Sequence, residues 1–416
     1  MSNEPPDTLV IGAGIVGSCV AAYLAEAGYS VSVIDRTGIC EETSSGNAGA
    51  FAFSDVLPLA QKGMLAHAPK WLLDPLGPLS IRPSYLPHLL PWLLKFRRAA
   101  APGRHEAGLA AQAALMKLAE AEWVGLMQRS GTTNMLREDG SLELYESKAE
   151  FHNSLPGWEA RQRHGIAFRH LEKEELGNYQ PGLSDRFVAG TFVPDWKTVS
   201  DPRLVGKAIW AYAERKGATF TRSEIKTIRQ TGNGNWHVST TAGKEITASR
   251  IVLCAGAWSG RLARQAGDAI PLDTERGYNT TLPIDAFDVK RQLIFSGHGF
   301  VITPLSTGLR VGGAVEFGGL RLPPNFARSK AMLEKAKRFL PGLQTEGGRE
   351  WMGYRPSLPD SLPVIGPSPR RAGLFHAFGH GHLGLTQAAA TGRLIRALVS
   401  GEASPIDCSP FRANRF

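Results

Sequence analysis

Three glycines stand at G-x-G-x-x-G spacing in Thr8-Leu-Val-Ile-Gly-Ala-Gly-Ile-Val-Gly17, directly after an apolar run. A backbone with this spacing can cradle the pyrophosphate of a dinucleotide. Gly12 permits the tight turn, Gly14 lets the chain approach the phosphates, and Gly17 lets the next helix pack against the strand. That helix, expected over residues 15–27 and opening with Ile15 and Val16, points its positive end at the phosphates. Asp35 closes the following strand (29–34), next to Arg36. An acid here accepts hydrogen bonds from a ribose and disfavours a 2′-phosphate. A ligand-free glycine turn is the plainer reading, but the preceding strand, the following helix and the spacing to Asp35 weigh against it.

A second cluster, Gly379-His-Gly-His-Leu-Gly-Leu-Thr386, repeats the spacing between an apolar strand (374–378) and a helix expected over 385–399. No strand with a closing acid follows, so this turn faces a different group. If the first turn holds FAD, the reduced ring carries negative charge near N1 and the C2 carbonyl. The N–H groups of residues 383–386 and the helix dipole would stabilise that charge. Arg355, locked before Pro356, offers a planar two-pronged donor suited to a carboxylate.

These residues need a scaffold that brings distant segments together. The chain has 416 residues, enough for two or three domain-sized cores. Alternating and buried strands around 224–228, 236–240, 245–248 and 250–256 follow an amphipathic helix at 201–217. Residues 90–200 read as a helix (107–130) and then a turn-rich region, and 270–350 as antiparallel strands. The fold class is therefore α/β, α+β overall. A discontinuous nucleotide-binding domain (1–90, 200–270 and 350–416) carries a second domain of antiparallel sheet plus helix, built from two insertions (91–199 and 271–349).

The formal charge of +9 is scattered without a long basic run, which argues against nucleic acid. Four cysteines lie far apart without metal or disulfide spacing. Together with an N-terminus lacking a basic signal region, they suggest a reducing cytoplasm. The Trp-, Leu- and Pro-rich stretch 71–98 ends in Lys95-Phe-Arg-Arg98. It reads as a buried arm crossing the domain interface, or alternatively as a peripheral contact with the inner membrane.

Taken together, the chain resembles the D-amino-acid oxidase (DAO) superfamily of FAD amine oxidoreductases, and the bacterial D-amino-acid dehydrogenase group within it. The motifs are residues 10–17, Ser44-Ser-Gly-Asn-Ala-Gly49, Leu253-Cys-Ala-Gly-Ala-Trp-Ser-Gly260, Glu275-Arg-Gly-Tyr278, Arg355-Pro-Ser-Leu-Pro-Asp360 and 379–386, in the family's order. The resemblance implies a Rossmann-type FAD-binding domain with an inserted substrate domain. It places Gly12, Gly14 and Gly17 on the ADP half and Asp35 on the ribose. Ser44, Ser45, Asn47 and Ala48 lie along the pyrophosphate and isoalloxazine, Ile225 on the adenine, and Ala255 and Gly256 near the dinucleotide. Gly381, Leu383, Gly384, Leu385 and Thr386 cradle the pyrimidine end of the flavin. Arg355 would grip the substrate carboxylate, and Tyr278 would lie on the substrate side. His380 fits the pattern, whereas His382 replaces a small or hydroxyl residue and reshapes the substrate face. Neither histidine has metal-ligand company.

With no cysteine near Arg355, non-covalent FAD is expected. The implied reaction is hydride transfer from the Cα of a D-amino acid to flavin N5, with D-proline or cis-4-hydroxy-D-proline favoured by the segment 275–279. Electrons would pass to the respiratory chain, through a quinone, or to oxygen. A sarcosine, N-methyl amino acid or glycine oxidase shares the motifs, and a flavin-binding subunit of a multi-chain dehydrogenase is the rival of another class.

Overall fold

The computed structural model describes residues 7–60 and 73–416. A six-stranded sheet runs in the order Thr219–Arg222, Val31–Asp35, Thr8–Ile11, Arg250–Leu253, Leu374–Phe378 and Val364–Pro367. The first five strands are parallel and the last is an antiparallel edge. The central strand Thr8–Ile11 is buried throughout, as a strand covered on both faces should be. Helices Ile15–Glu26, Pro202–Arg215 and Gly384–Ser400 pack over one face around Cys19, Val20, Tyr23 and Leu394. On the other face, Ile225, Trp236 and Val238 of the three-stranded sheet Ile225–Gln230, Trp236–Thr240 and Glu245–Ala248 join Leu9, Ile11 and Leu253.

The second unit is built on a nine-stranded, mostly antiparallel sheet. Its order is Arg349–Ser357, Asp273–Leu282, Gly308–Phe317, Phe300–Leu305, Gln292–Phe295, Ser141–Tyr145, Ala189–Val193 and Arg169–Glu172, and Leu79–Ile81 also pairs with Gly308–Phe317. Helix Ala327–Phe339 fills one face of it with Met332, Ala336 and Phe339. The opposite face looks toward the glycine turns.

Several elements depart from the sequence reading. The helix expected at 107–130 begins at Pro102, where a missing N–H and a preset φ suit a first helical position. It packs on Gly384–Ser400, so it lies against the nucleotide unit although the expected boundaries placed it in the insertion. Strands Leu79–Ile81 and Arg349–Ser357 pair within the large sheet, so the chain changes units before residue 90 and again near 357. The region read as turn-rich holds strands 141–145, 169–172 and 189–193 and helices Lys148–Arg163 and Lys173–Tyr179. Those helices are polar on most faces, which left little apolar periodicity to find.

Of the stretch 71–98, residues 71–72 lie outside the described residues. The remainder includes helix Leu86–Ala99, which buries Leu89, Trp92 and Phe96 against Ile81 and Phe317 and leaves Leu90 and Leu94 exposed. Among the described residues no helix is long and apolar enough to cross a membrane.

Candidate active site

The first glycine turn is closed by contacts that leave no room for a side chain. Gly12 has φ +106°, and a Cβ there would lie 2.4 Å from the Cys254 carbonyl oxygen; one on Gly17 would lie 1.9 Å from the Gly12 oxygen. Helix Ile15–Glu26 then starts with no capping side chain on Gly14, while the Ile15 N–H donates to Ser44 Oγ at 3.0 Å. Asp35 ties the turn to its own strand end. Its Oδ2 accepts the Ala13 N–H at 2.9 Å, and its Oδ1 accepts the Thr37 N–H at 2.8 Å and the Thr37 hydroxyl at 2.9 Å. Arg36 pairs with Glu42 at 2.9 Å and stacks its guanidinium 3.9 Å over the Trp258 ring.

A cavity of about 620 Å³ runs from this turn to the large sheet. Of the residues singled out from sequence, all line it except Gly17 and Ser45. Gly17 serves the helix–strand contact just described. Ser45 spends its hydroxyl on the carbonyls of Glu41 and Glu42, at 3.2 and 2.8 Å. Ile225 lines the cavity while its carbonyl accepts from Arg261 at 2.8 Å.

The second glycine turn sits at the far end of the same cavity. Gly381 has φ +55°, and helix Gly384–Ser400 opens without a side-chain cap, so its first N–H groups face the cavity. The helix is braced from outside: Trp123 Nε1 donates to the carbonyls of Leu385 and Thr386 at 3.0 and 2.9 Å. Thr386 Oγ1 accepts the Ala52 N–H at 3.1 Å and so fixes the cavity wall. His380 is buried against Thr391 at 2.9 Å, and burial pushes its pKa down to about 3, which keeps it neutral. The loop 44–49 is held from the sheet side. Asn279 Nδ2 donates to the Gly46 carbonyl at 2.9 Å and Arg310 donates to the carbonyls of Ser45 and Asn47. Burial lowers the Arg310 pKa to about 10.

Arg355 points its guanidinium into the cavity wall with Nη1 donating to the Ala314 carbonyl at 2.9 Å and Nη2 to the Gly313 carbonyl at 3.4 Å. Burial pushes its pKa down, while the charge of Glu275 pulls the other way. Among the described residues no carboxylate lies within 4.0 Å of it. Glu275 is occupied with the Ser357 hydroxyl at 2.6 Å. His382 meets Asp55, Nε2 to Oδ2 at 3.0 Å. Burial opposes charge on this imidazole, but the hydrogen bond and charge of Asp55 outweigh it and raise its pKa.

Tyr278, expected on the substrate side, divides between the cavity and the sheet interior. It touches the cavity, but its hydroxyl donates to Glu316 Oε2 at 2.6 Å and accepts the Asn325 N–H at 3.0 Å, within a buried network that includes Arg276. Successive side chains of a strand alternate faces, so Gly277 looks toward Arg355 while Arg276 and Tyr278 look away. The sequence reading also passed over Asp55, Glu143 and Arg161, which line the cavity from three separate segments. Alternation in Ser141-Leu-Glu-Leu-Tyr145 was the available signal for Glu143.

Two helix N-termini, a glycine cradle and a half-buried guanidinium with no carboxylate partner among the described residues thus converge on one cavity. Residues 7–398 match the family described as DAO: FAD dependent oxidoreductase. The chain belongs to this family. A D-amino-acid oxidase of Bradyrhizobium diazoefficiens is 34% identical over 98% of each chain. A D-amino acid dehydrogenase of Sinorhizobium medicae is 31% identical over 98% of this chain and 99% of its own. The crystal structure of glycine oxidase from Geobacillus kaustophilus shares the fold with a TM-score of 0.75, covering 99% of both chains at 23% identity.

DAO membership makes the protein an FAD-dependent oxidoreductase, and the cavity fits that cofactor. Where Gly12 and Gly17 leave space, any side chain would collide, and the Ile15 end offers N–H groups and the Ser44 hydroxyl to phosphates. Among the described residues no group of histidine, cysteine and carboxylate side chains could hold a metal ion.

Proposed function

We propose that this DAO protein oxidises a D-amino acid at Cα, with D-proline or cis-4-hydroxy-D-proline as the favoured substrates. The observation that carries this reading is Arg355, a half-buried cation facing the cavity with carbonyl partners and no carboxylate within 4.0 Å among the described residues. Such a group is completed by a substrate carboxylate in a two-pronged hydrogen bond. The names of the D-amino-acid oxidase and dehydrogenase relatives support the substrate class. The segment Glu275-Arg-Gly-Tyr-Asn279 supports the proline preference by resemblance.

Bound FAD supplies a hydride acceptor at N5. The chain supplies position. Arg355 fixes the carboxylate, and the carbonyls of Gly313 and Ala314 fix Arg355. The amine must be neutral to expel a hydride, and the nearby Arg355 cation disfavours the ammonium form. The product is an imino acid, which hydrolyses to a 2-oxo acid, or a cyclic imine from proline. The N–H groups that open helix Gly384–Ser400 face the cavity and would stabilise negative charge on a flavin ring bound against them. FAD is held without a covalent bond, since no cysteine neighbours Arg355.

Exposed Leu90 and Leu94 beside Lys95, Arg97 and Arg98 support a peripheral contact with anionic lipid. Sedimentation with anionic vesicles tests it, and recovery of all protein in the supernatant would refute it.

The deciding experiment is anaerobic mixing of the yellow holoprotein with D- and L-amino acids, glycine and sarcosine. Bleaching near ~450 nm by a D-amino acid is expected. Bleaching by sarcosine or glycine alone would replace this reading with an N-methyl amino acid or glycine oxidase. Readmitted air separates oxidase from dehydrogenase by the rate at which colour returns.

A further inference from the structure

Glu143 lies on strand Ser141–Tyr145, whose even-numbered residues Leu142 and Leu144 fill the core behind the sheet. Its side chain therefore shares the opposite face with Ser141, and both line the cavity. The neighbouring carboxylate, Asp55, has two cations: His382 at 3.0 Å and Arg161 at 3.8 Å. Arg161 is further engaged with the Ser54 carbonyl at 3.2 Å and stacks 4.6 Å over Trp158. Glu143 has no cation within 4.0 Å among the described residues. Burial pushes its carboxyl above the usual range, with Ser296 and the charge of Arg161 pulling the other way.

The charged groups form a sequence along the cavity. His382 holds Asp55, Asp55 meets Arg161, the charge of Arg355 acts on His382, and the charges of Arg161 and Asp55 act on Glu143. An α-amino acid clamped by its carboxylate at Arg355 has only its side chain left to reach that end. Glu143 is half-buried and holds the Ser296 hydroxyl, and a carboxylate has lone pairs left over for a second donor from the cavity side, so it favours side chains that bring one over those that do not.

Building on the amino-acid oxidation proposed above, we infer that Glu143 is a specificity-determining residue that accepts a hydrogen bond from the distal end of the substrate side chain. The preferred substrates are then D-amino acids carrying a side-chain donor, a hydroxyl or an ammonium group, over aliphatic ones of equal size.

Anaerobic flavin reduction tests this with matched pairs: cis-4-hydroxy-D-proline against D-proline, and D-lysine against D-norleucine. The wild-type protein is expected to favour the donor-bearing member of at least one pair by about 10- to 100-fold in the second-order reduction rate. Glu143→Leu is expected to abolish that preference while D-proline or D-norleucine still bleaches the flavin. Glu143→Gln keeps the volume and an acceptor, so it retains preference for the hydroxyl and loses it for the ammonium. Retention of the wild-type ratio in Glu143→Leu would overturn the inference, as would equal losses for both members of a pair in both variants, or a wild-type protein with no preference in either pair. If no amino acid bleaches the flavin, the reaction class fails and Glu143 loses its role with it. D-Alanine, which has no side-chain donor, separates these cases.

Discussion

Gly277 and Arg355 are diagonal neighbours on adjacent strands, Arg355 pairing with Glu275 and Gly277 with Gly353, and a Cβ on Gly277 would lie 2.4 Å from Arg355 Nη2. The space reserved for the guanidinium is thus written as a missing methyl group two strand positions from Glu275. Gly277→Ala is expected to push the guanidinium off the Gly313 and Ala314 carbonyls. Flavin content should stay at the wild-type level while KM for the substrate rises at least about 10-fold, since misplacing a clamp by a fraction of an ångström is costly. Unchanged KM in steady-state assays would show that the guanidinium is not the clamp.

Arg355→Lys keeps the charge and removes the planar fork. Turnover at low substrate should fall by about 100-fold or more, because a point charge cannot replace a two-pronged donor on a carboxylate. Rapid-mixing reduction rates check this, with flavin absorbance confirming that cofactor is still bound.

Tyr278→Phe should separate support from chemistry. The hydroxyl is satisfied by Glu316 and Asn325 behind the strand, so its removal is expected to cost about 1–2 kcal/mol of stability and leave the reduction rate within about twofold. Urea unfolding and stopped-flow reduction together give both numbers. A large loss of rate with unchanged stability would return the phenol to the substrate side.

The His382–Asp55 pair predicts a pH window for stability. A raised imidazole pKa stabilises the fold fully below the unfolded value of about 6.5 and loses that contribution as pH climbs through the folded value. The lowered carboxyl pKa of Asp55 contributes above about 3.9 in the same way and is lost as pH falls through its folded value. Both groups are partly exposed, which limits the size of the effect. The melting-temperature gap between wild type and His382→Gln should therefore be widest near about pH 5.5 and shrink by about pH 8.5. A gap that grows with pH would contradict the assignment.

Acid precipitation should leave the yellow colour in the supernatant, as expected of FAD held only by the glycine turns, loop 44–49 and hydrogen bonds. Gly17→Val should yield colourless protein, because the 1.9 Å approach to the Gly12 oxygen admits no side chain.

Both glycine turns and Arg355 were legible in the sequence because each is a local matter of backbone spacing or of one residue before a proline. The acid-rich end of the cavity was not. Asp55, Glu143 and Arg161 come from a loop, a short strand and a polar helix whose meeting is decided only by the nine-stranded sheet. The buried partners of Tyr278 follow from a simpler pattern: in Glu275-Arg-Gly-Tyr278, a two-residue period puts the tyrosine with Arg276 and opposite Gly277. The long helix Pro102–Ser130 read correctly as a helix but not as the brace for the flavin-facing turn, since Trp123 reveals its target only in three dimensions.

The six-stranded sheet threads segments from the start, middle and end of the chain side by side: Thr8–Ile11, then Arg250–Leu253, then Leu374–Phe378. During synthesis, a ribosome that has released the first glycine turn has not yet made the strand that seats it, and the second turn follows later still. A nascent chain carries both helix ends that face the cavity only once it extends past Gly384. Capture of the flavin accordingly waits for both of these distant segments, and until then the emerging first strand, apolar after Thr8, is an unpaired edge in need of protection from its neighbours on the polysome.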